Sequence, residues 1–430
     1  MISMLKKMIS AMLSAAMLLA ALSVPAAPAA ERGEKVTLII EVEGAPLLET
    51  KNAVALGAAE FMETAEAKTV EARILSMQAE VRSNIKRSVK ADAEKGYTYT
   101  GVFNGFSMKG YTSDIEKIKS IDGVKNVYIS RVHELPDEPA PAAETAGPEV
   151  GADMMNAKYM YDRGYDGRHQ AIAIIDTEFD VGHEFFASDV LEPRLSKGDI
   201  IEFLANNELN ISASANQVYR SSKVPFAYDY GEGNADTYSL ANPHGTHVAG
   251  TAAGKDGRHH GKVFSGTAPE AQLVLMKVSD ESGGLPDDVA LAAFDDVSKM
   301  DVCAVNYSIS APLISWCLDS VLENLRNAGI AVFAVAGNSG RAQETTDNPD
   351  YAYPCSPSLH YAATSVASIN ADRIWVTENK MILSSGELIT YNYDDDAGFF
   401  ERFSDKPYEY EVFGSASDIE GAAVSGRIAV

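Results

Sequence analysis

The sequence predicts an α/β chain in which a parallel sheet covered by helices follows a smaller α+β domain. Three observations carry that expectation. From about residue 151, short and nearly all-apolar runs alternate with helical periodicity, the pattern of strands buried on both faces. Ahead of them, residues 35–133 show a self-contained strand–helix–strand order. Between the two, Leu135 to Val150 is rich in Pro, Ala and Glu, lacks periodicity and reads as an exposed linker.

Composition sets the outer limits. The chain has 430 residues, 46% hydrophobic and 23% charged, a globular balance with room for two or three domains. Its formal net charge of −25 and pI near 4.7 leave no basic stripe for phosphate, so no nucleic-acid partner is expected. Residues 1–30 read as a cleaved secretion signal. Lys6 and Lys7 precede an apolar run from Met8 to Val24, and Ala27-Pro28-Ala29 offers a cleavage site. That places the mature protein outside the cell or in its envelope. No other run is long and apolar enough to span a bilayer. Cys303, Cys317 and Cys355 cannot all pair within one chain and are expected to pack as small hydrophobes.

In chain order, the first strand is expected at 36–40. A long amphipathic helix follows, with Val70, Ile74, Met77, Val81 and Ile85 on one face. A second strand runs from Tyr97 to Phe103, and Gly105-Phe106-Ser107-Met108 continues after a turn. Ser113 with Glu116 suggests a capping box, Gly123 ends that helix, and 124–129 closes the unit. This order is that of a split β-α-β unit, similar to a ferredoxin-like domain. In the larger part, strands are expected at 171–175, 273–278, 302–307 and 330–335, with helices near 286–299 and 316–328. Residues 184–240 break the rhythm and read as a loop-bearing insertion. Beyond Asn370 the pattern weakens, with strand character at 381–384, 387–393 and 427–430 and a loop at Asp394-Asp395-Asp396.

Three polar residues fall where α/β sheets gather their chemistry. Asp176 follows the apolar run Ala171-Ile172-Ala173-Ile174-Ile175, at the carboxyl end of a parallel strand. His244 opens a helix rich in small residues, His244-Gly245-Thr246-His247-Val248-Ala249-Gly250, which can pack closely beneath the imidazole. Zinc-protease helices need histidines four apart with a glutamate between, and this stretch has neither, so His247 reads as structural. Asn338 sits in the turn Ala336-Gly337-Asn338-Ser339-Gly340 after a buried strand.

Together with Ala173-Ile174-Ile175-Asp176-Thr177 and Gly266-Thr267-Ala268-Pro269-Glu270-Ala271, these blocks resemble the subtilisin-like (S8) serine peptidases over roughly 150–370. Residues 35–133, most visibly TYTGVFNGFSMKG, look like that family's I9-type inhibitory propeptide. The resemblance implies a secreted endopeptidase made as a self-inhibited precursor, with protein or peptide substrates and its own propeptide as partners. Asp176 would orient His244, His244 would act as general base, Asn338 would donate to the oxyanion, and Ser308, Ile309 and Ser310 would line the substrate strand. Domains follow as a signal (1–30), propeptide (35–133), linker (134–150), partial catalytic domain (151–384) and the start of a protease-associated insert (385–430), as in large cell-envelope relatives.

The resemblance has gaps. No Gly-Thr-Ser-Met-like turn is present, and Gly414-Ser415-Ala416-Ser417 lacks the following helix. The catalytic serine is therefore expected beyond Val430, which would leave the chain inactive by itself. Glu178 and Ser310 stand where the family usually has glycine; Glu178 would either raise neighbouring acids or point to solvent. The rival reading is a non-catalytic relative that binds at the cell surface. No cofactor is required, and structural calcium is compatible with the family although no ligand loop stands out.

Overall fold

In the computed structural model, residues 33–89, 95–133, 155–238, 242–259, 262–310, 316–337 and 355–367 are described, followed by four short strands. The expected signal, the linker and Asn338 lie outside the described residues. The chain divides into two compact units, the first made of Met1–Asp137 and Pro148–Ala371.

The amino-terminal part of this unit is built on β1 (Lys35–Val42), α1 (Ala65–Val89), β2 (Lys95–Tyr99), β3 (Gly105–Tyr111), α2 (Ile115–Lys119) and β4 (Val124–Ile129). Its sheet has the order β2-β3-β1-β4 with antiparallel pairs, as a split β-α-β unit requires. Two details differ from the sequence reading. The Ser113–Glu116 capping box does not form, because the chain enters α2 through a 3₁₀ turn, Thr112–Asp114, and Asp114 becomes the cap position without a side-chain bond. The long helix also buries Glu71 and Gln78 beside Ile74, Val81 and Ile85, while Val70 and Met77 are only half-buried. Its inner face is rotated because part of it meets polar groups: Gln78 Nε2 donates to the Tyr99 carbonyl (2.7 Å) and to Asn104 Oδ1 (3.0 Å). A short strand, β5 (Val132–His133), ends this part.

The larger part contains β6 (Ala171–Asp176), α3 (Lys197–Asn206), β7 (Phe226–Asp229), α4 (His244–Ala253), a hairpin of β8 (Gly257–His259) and β9 (Lys262–Phe264), β10 (Gln272–Lys277) and β11 (Leu285–Pro286). It continues with α5 (Asp287–Val297), β12 (Ala304–Tyr307), α6 (Trp316–Asn327), β13 (Ala331–Val335) and β14 (Ala363–Val366). Six strands form one sheet in the order β14-β13-β12-β6-β10-β7, every pair parallel. Here the insertion reading of 184–240 is corrected: its Phe226–Asp229 segment is the edge strand of the main sheet. The segment is only four residues long and ends in Asp, so it gives little periodic signal.

Helix α5 is buried along its whole length. A helix on an α/β sheet normally keeps a wet face. This one has the sheet on one side and the amino-terminal part on the other. Its Asp288 carbonyl accepts from Tyr99 Oη (2.9 Å), and Asp295 accepts from the loop after β2. Cys355 is buried and Cys303 half-buried, both as free thiols, while the Cys317 side chain lies outside the described residues.

The second unit is described only by four strands. β15 (Asn379–Ile382) and β16 (Leu388–Tyr391) pair antiparallel, and β17 (Glu409–Glu411) and β18 (Arg427–Ala429) pair parallel. The strand character read at 381–384, 387–393 and 427–430 thus falls within or beside real strands. The Asp394–Asp396 loop lies outside the described residues.

Candidate active site

The sheet delivers the candidate residues to one edge. Because all six strands run parallel, their carboxyl ends share an edge, and there lie Asp176, residues 308–310 after β12 and Ala336-Gly337 after β13. Asp176 is the last residue of β6, which runs one residue further than the expected 171–175, and is fully buried. Its Oδ1 accepts the Thr177 amide at 2.7 Å, which fixes the carboxylate against its own backbone.

Helix α4 brings His244 to that carboxylate. The Thr177 hydroxyl accepts the Gly245 amide (3.1 Å) and donates to the Asn242 carbonyl (3.2 Å), so strand end and helix start are tied by one side chain. Thr246 repeats the tie one step on: its hydroxyl accepts the Asp180 amide (2.9 Å) and donates to the Glu178 carbonyl (3.3 Å). Gly245 is required by the closeness of this approach. A Cβ there would stand 2.6 Å from the Glu178 carbonyl oxygen and 3.1 Å from Asp176 Cβ. The far end of the helix is held the same way. Gly266 presses its backbone onto α4, where a Cβ would meet the Gly250 carbonyl oxygen at 2.5 Å, and the amides of Gly266, Thr267 and Ala268 donate to carbonyls of Gly254, Thr251 and Ala252. Ala249 and Ala253 pack on Ile174, Leu273 and Leu275 beneath.

The result is a contact of 2.7 Å between His244 Nδ1 and Asp176 Oδ1. The His244 side chain is 27% exposed and that of Asp176 0%. A buried carboxylate at Nδ1 fixes the imidazole tautomer with its proton on Nδ1, and turns Nε2 into the basic nitrogen. Asp176 Oδ2 is buried with no hydrogen-bond partner among the described residues. His247, one turn along α4, is exposed and joins no part of this pair.

Glu178 is 3% exposed, so its side chain does not point to solvent. On the adjoining strands, Lys277 is in register with both Asp176 and Asp229, and its Nζ lies 2.6 Å from Asp229 Oδ2. Burial pushes the Asp229 carboxyl up, opposed by the Lys277 ammonium and the Glu232 amide. At the neighbouring loops, Asn306 Nδ2 donates to Ser308 Oγ (2.9 Å), Ile309 is buried, and Ser310 faces Gly337. Gly337 has φ +96°, and a Cβ there would meet Cys355 Sγ at 2.8 Å and Ser310 Oγ at 3.2 Å. This is the turn that leads into Asn338. Among the described residues no cluster of three or more His, Cys, Asp or Glu side chains is placed to hold a metal ion, so no residue is assigned to calcium.

Residues 167–407, more than half of the chain, match the family described as Subtilase family. The chain belongs to that family. A second match, to Peptidase inhibitor I9, covers residues 54–136. Among curated relatives of this subtilase, the PII-type proteinase of Lacticaseibacillus paracasei is 28% identical over 427 residues, covering 92% of this chain and 21% of the relative. The minor extracellular protease Vpr of Bacillus subtilis (strain 168) is 24% identical over 408 residues, covering 92% of this chain and 44% of the relative. Fervidolysin from Fervidobacterium pennivorans, a solved structure, aligns with a TM-score of 0.46 and 14% identity, covering 84% of this chain and 46% of that one. The chain thus spans about a fifth of the length of the first relative.

Two features of this subtilase were not read from its sequence. One is the strand β11, which pairs antiparallel with β5, Leu285 against His133 and Pro286 against Val132. The only sequence signal was Gly283-Gly284 ahead of Leu285, and a Cβ at Gly284 would meet Val132 at 2.4 Å. The other is the set of acids on α5. Asp287 accepts from the Arg131 amide (3.1 Å) and sits 2.7 Å from His133 Nε2, and Ser130 Oγ donates to Asp288 (2.6 Å). Both features bind the amino-terminal part to the larger part through β11 and α5.

Proposed function

We propose that this protein is an exported serine endopeptidase that is held inactive by residues 35–133 until they are removed. The observation that carries this reading is the 2.7 Å contact between His244 Nδ1 and the buried Asp176 carboxylate. In this role Asp176 holds the imidazole and stabilises it once charged, while His244 Nε2 takes the proton of a serine hydroxyl and returns it to the leaving amine. Asn338 donates its amide to the oxyanion. The edge at 308–310 accepts an extended peptide as an added strand. The pairing of β5 with β11 supports inhibition, since the end of the amino-terminal part is held by strand pairing to the segment between β10 and α5. The 430 residues contain no segment resembling the family's serine turn, so two of the three triad positions are assigned.

The test has two parts. The 430-residue chain is expected not to hydrolyse peptides by the triad route; activity blocked by a serine-directed phosphonate would contradict this. In an active form carrying the serine turn, residues 35–133 added separately should inhibit, and absence of inhibition at micromolar concentration would remove the propeptide role.

A further inference from the structure

Two carboxylates contact one buried ammonium, with a third on the next residue of α5, where residues 35–133 meet the parallel-sheet body. Lys299 Nζ lies 3.2 Å from Glu71 Oε1 of α1 and 3.3 Å from Asp295 Oδ2 of α5, with side-chain exposures of 1%, 11% and 0%. It also donates to the Glu208 carbonyl. Asp295 accepts the amides of Thr100, Gly101 and Val102 at 2.8–3.1 Å. Asp296, 1% exposed, accepts from the Asn210 amide (3.0 Å), Asn210 Nδ2 (3.1 Å) and Tyr230 Oη (3.0 Å). Both of those partners are capped from the other side, as the Thr98 amide donates to Asn210 Oδ1 (2.8 Å) and Tyr97 Oη to the Tyr230 carbonyl. The further titratable groups facing Asp296 are the phenols of Tyr97, Tyr228 and Tyr230, with Asp229 and Asp288 beyond Tyr97.

Fully ionised, this cluster holds three negative charges against one positive in a place without solvent. Burying such a surplus is unfavourable unless a proton neutralises part of it. Separation of the two parts would return Glu71, Asp295 and Lys299 to water and uncover Asn210 and Tyr230. We propose that docking of residues 35–133 takes up a proton at the Glu71–Asp295–Asp296–Lys299 cluster, so that the propeptide grips more tightly in acid and loosens as pH rises through neutrality. This rests on the propeptide reading above for its meaning, though not for its physics.

The electrostatics agree in direction. Burial pushes Asp296 up to about 7, opposed by Lys299 and reinforced by Asp295. Burial also raises Asp295 and Asp288. Lys299, pulled down by burial, is nonetheless held above its ordinary value by Asp295, Glu71 and Asp296. The Asp296 carboxyl bonds Asn210 and Tyr230, both of the larger part, and reaches residues 35–133 through them and Lys299. An acid that binds its proton more tightly while the cluster is closed favours docking in acid and loses that advantage as pH rises through about 7.

The test uses the intact chain. Hydrogen exchange of the Thr100, Gly101 and Val102 amides, corrected for intrinsic rates, reads the opening of this interface. Their protection should fall by roughly ten- to a hundredfold between pH 5 and pH 8. The Leu38 and Phe106 amides, at hydrogen-bonded positions of the β1–β3 ladder, should stay protected, which separates opening from unfolding. Glu71→Gln and Asp296→Asn, each removing one charge, should flatten the slope, and Lys125→Gln, whose Glu41 partner lies within residues 35–133, should leave it. Protection independent of pH in the native chain, or a slope unchanged in both charge variants, would overturn the proposal. Since no catalysis is measured, such a failure would leave the inhibitory role to be judged by the separate inhibition assay.

Discussion

Two buried polar centres in this molecule are built on opposite principles. At the Asp176–His244 corner one carboxylate meets one imidazole, and both are anchored by groups a few residues away on the same strand end and helix start. At the Glu71–Asp295–Asp296–Lys299 cluster the partners come from segments about two hundred residues apart, and the charges do not balance. The first is a preorganised pair that needs no rearrangement to move a proton. The second exists only while two parts of the chain stay together. Under the proposed function, the centre that would work repeatedly is closed within the larger part, and the centre at the contact that would be released is assembled from both parts.

The largest expected effect breaks the first centre. In an active form of the protein, Asp176→Asn should lower kcat by about 10⁴, because the imidazole loses the partner that fixes its tautomer. Steady-state kinetics on a peptide substrate check it; a loss under tenfold would remove Asp176 from the triad. Next in size is Lys277→Met, which leaves Asp229 buried and unpaired and should cost about 3–5 kcal/mol of stability. Adding Asp229→Asn should recover much of that loss in urea unfolding, and no recovery would show that the lysine acts through packing.

The second centre gives smaller numbers. Asp295→Ala strands the amides of Thr100, Gly101 and Val102 and should weaken propeptide inhibition by about 1–3 kcal/mol, read as a rise in inhibition constant. An inhibition constant unchanged by the substitution would mean that this loop does not hold the propeptide. Smallest is a pH effect remote from both centres. Burial holds the Lys223 amine down to about 7 while it donates to the carbonyls of Pro269 and Ala271. Its unfolded form keeps the proton to about 10.4, so its contribution to stability should rise with pH from about 7 to 9. The difference in unfolding free energy between the native chain and Lys223→Met should show that slope.

The contrast also explains what could be read from the sequence. The Asp176 strand and the His244 helix were legible because their packing is written locally. An all-apolar run ends at Asp176, and the Gly245, Ala249, Gly250 and Ala253 positions of the helix demand close approach. The order of the amino-terminal sheet was legible for the same reason. The edge strand Phe226–Asp229 was not, being too short to show a period. The capping box at Ser113 was read from two residues whose spacing was right but whose backbone takes another path. Glu71 and Gln78 on α1 are buried by partners at the end of β2 and in the loop after it, Thr100 for Glu71 and Tyr99 and Asn104 for Gln78, and Glu71 also meets Lys299 of the larger part. Polar residues buried by distant chain segments leave no pattern in their own neighbourhood.

The most direct measurement is the protonation of His244 in the 430-residue chain by ¹⁵N nuclear magnetic resonance at pH 8 and above. The proton should reside on Nδ1, shared with Asp176 Oδ1 and shifted to low field, and Asp176→Asn should abolish that signal. A neutral imidazole protonated on Nε2, with the same spectrum in Asp176→Asn, would contradict the assignment of this pair as the working half of a protease triad.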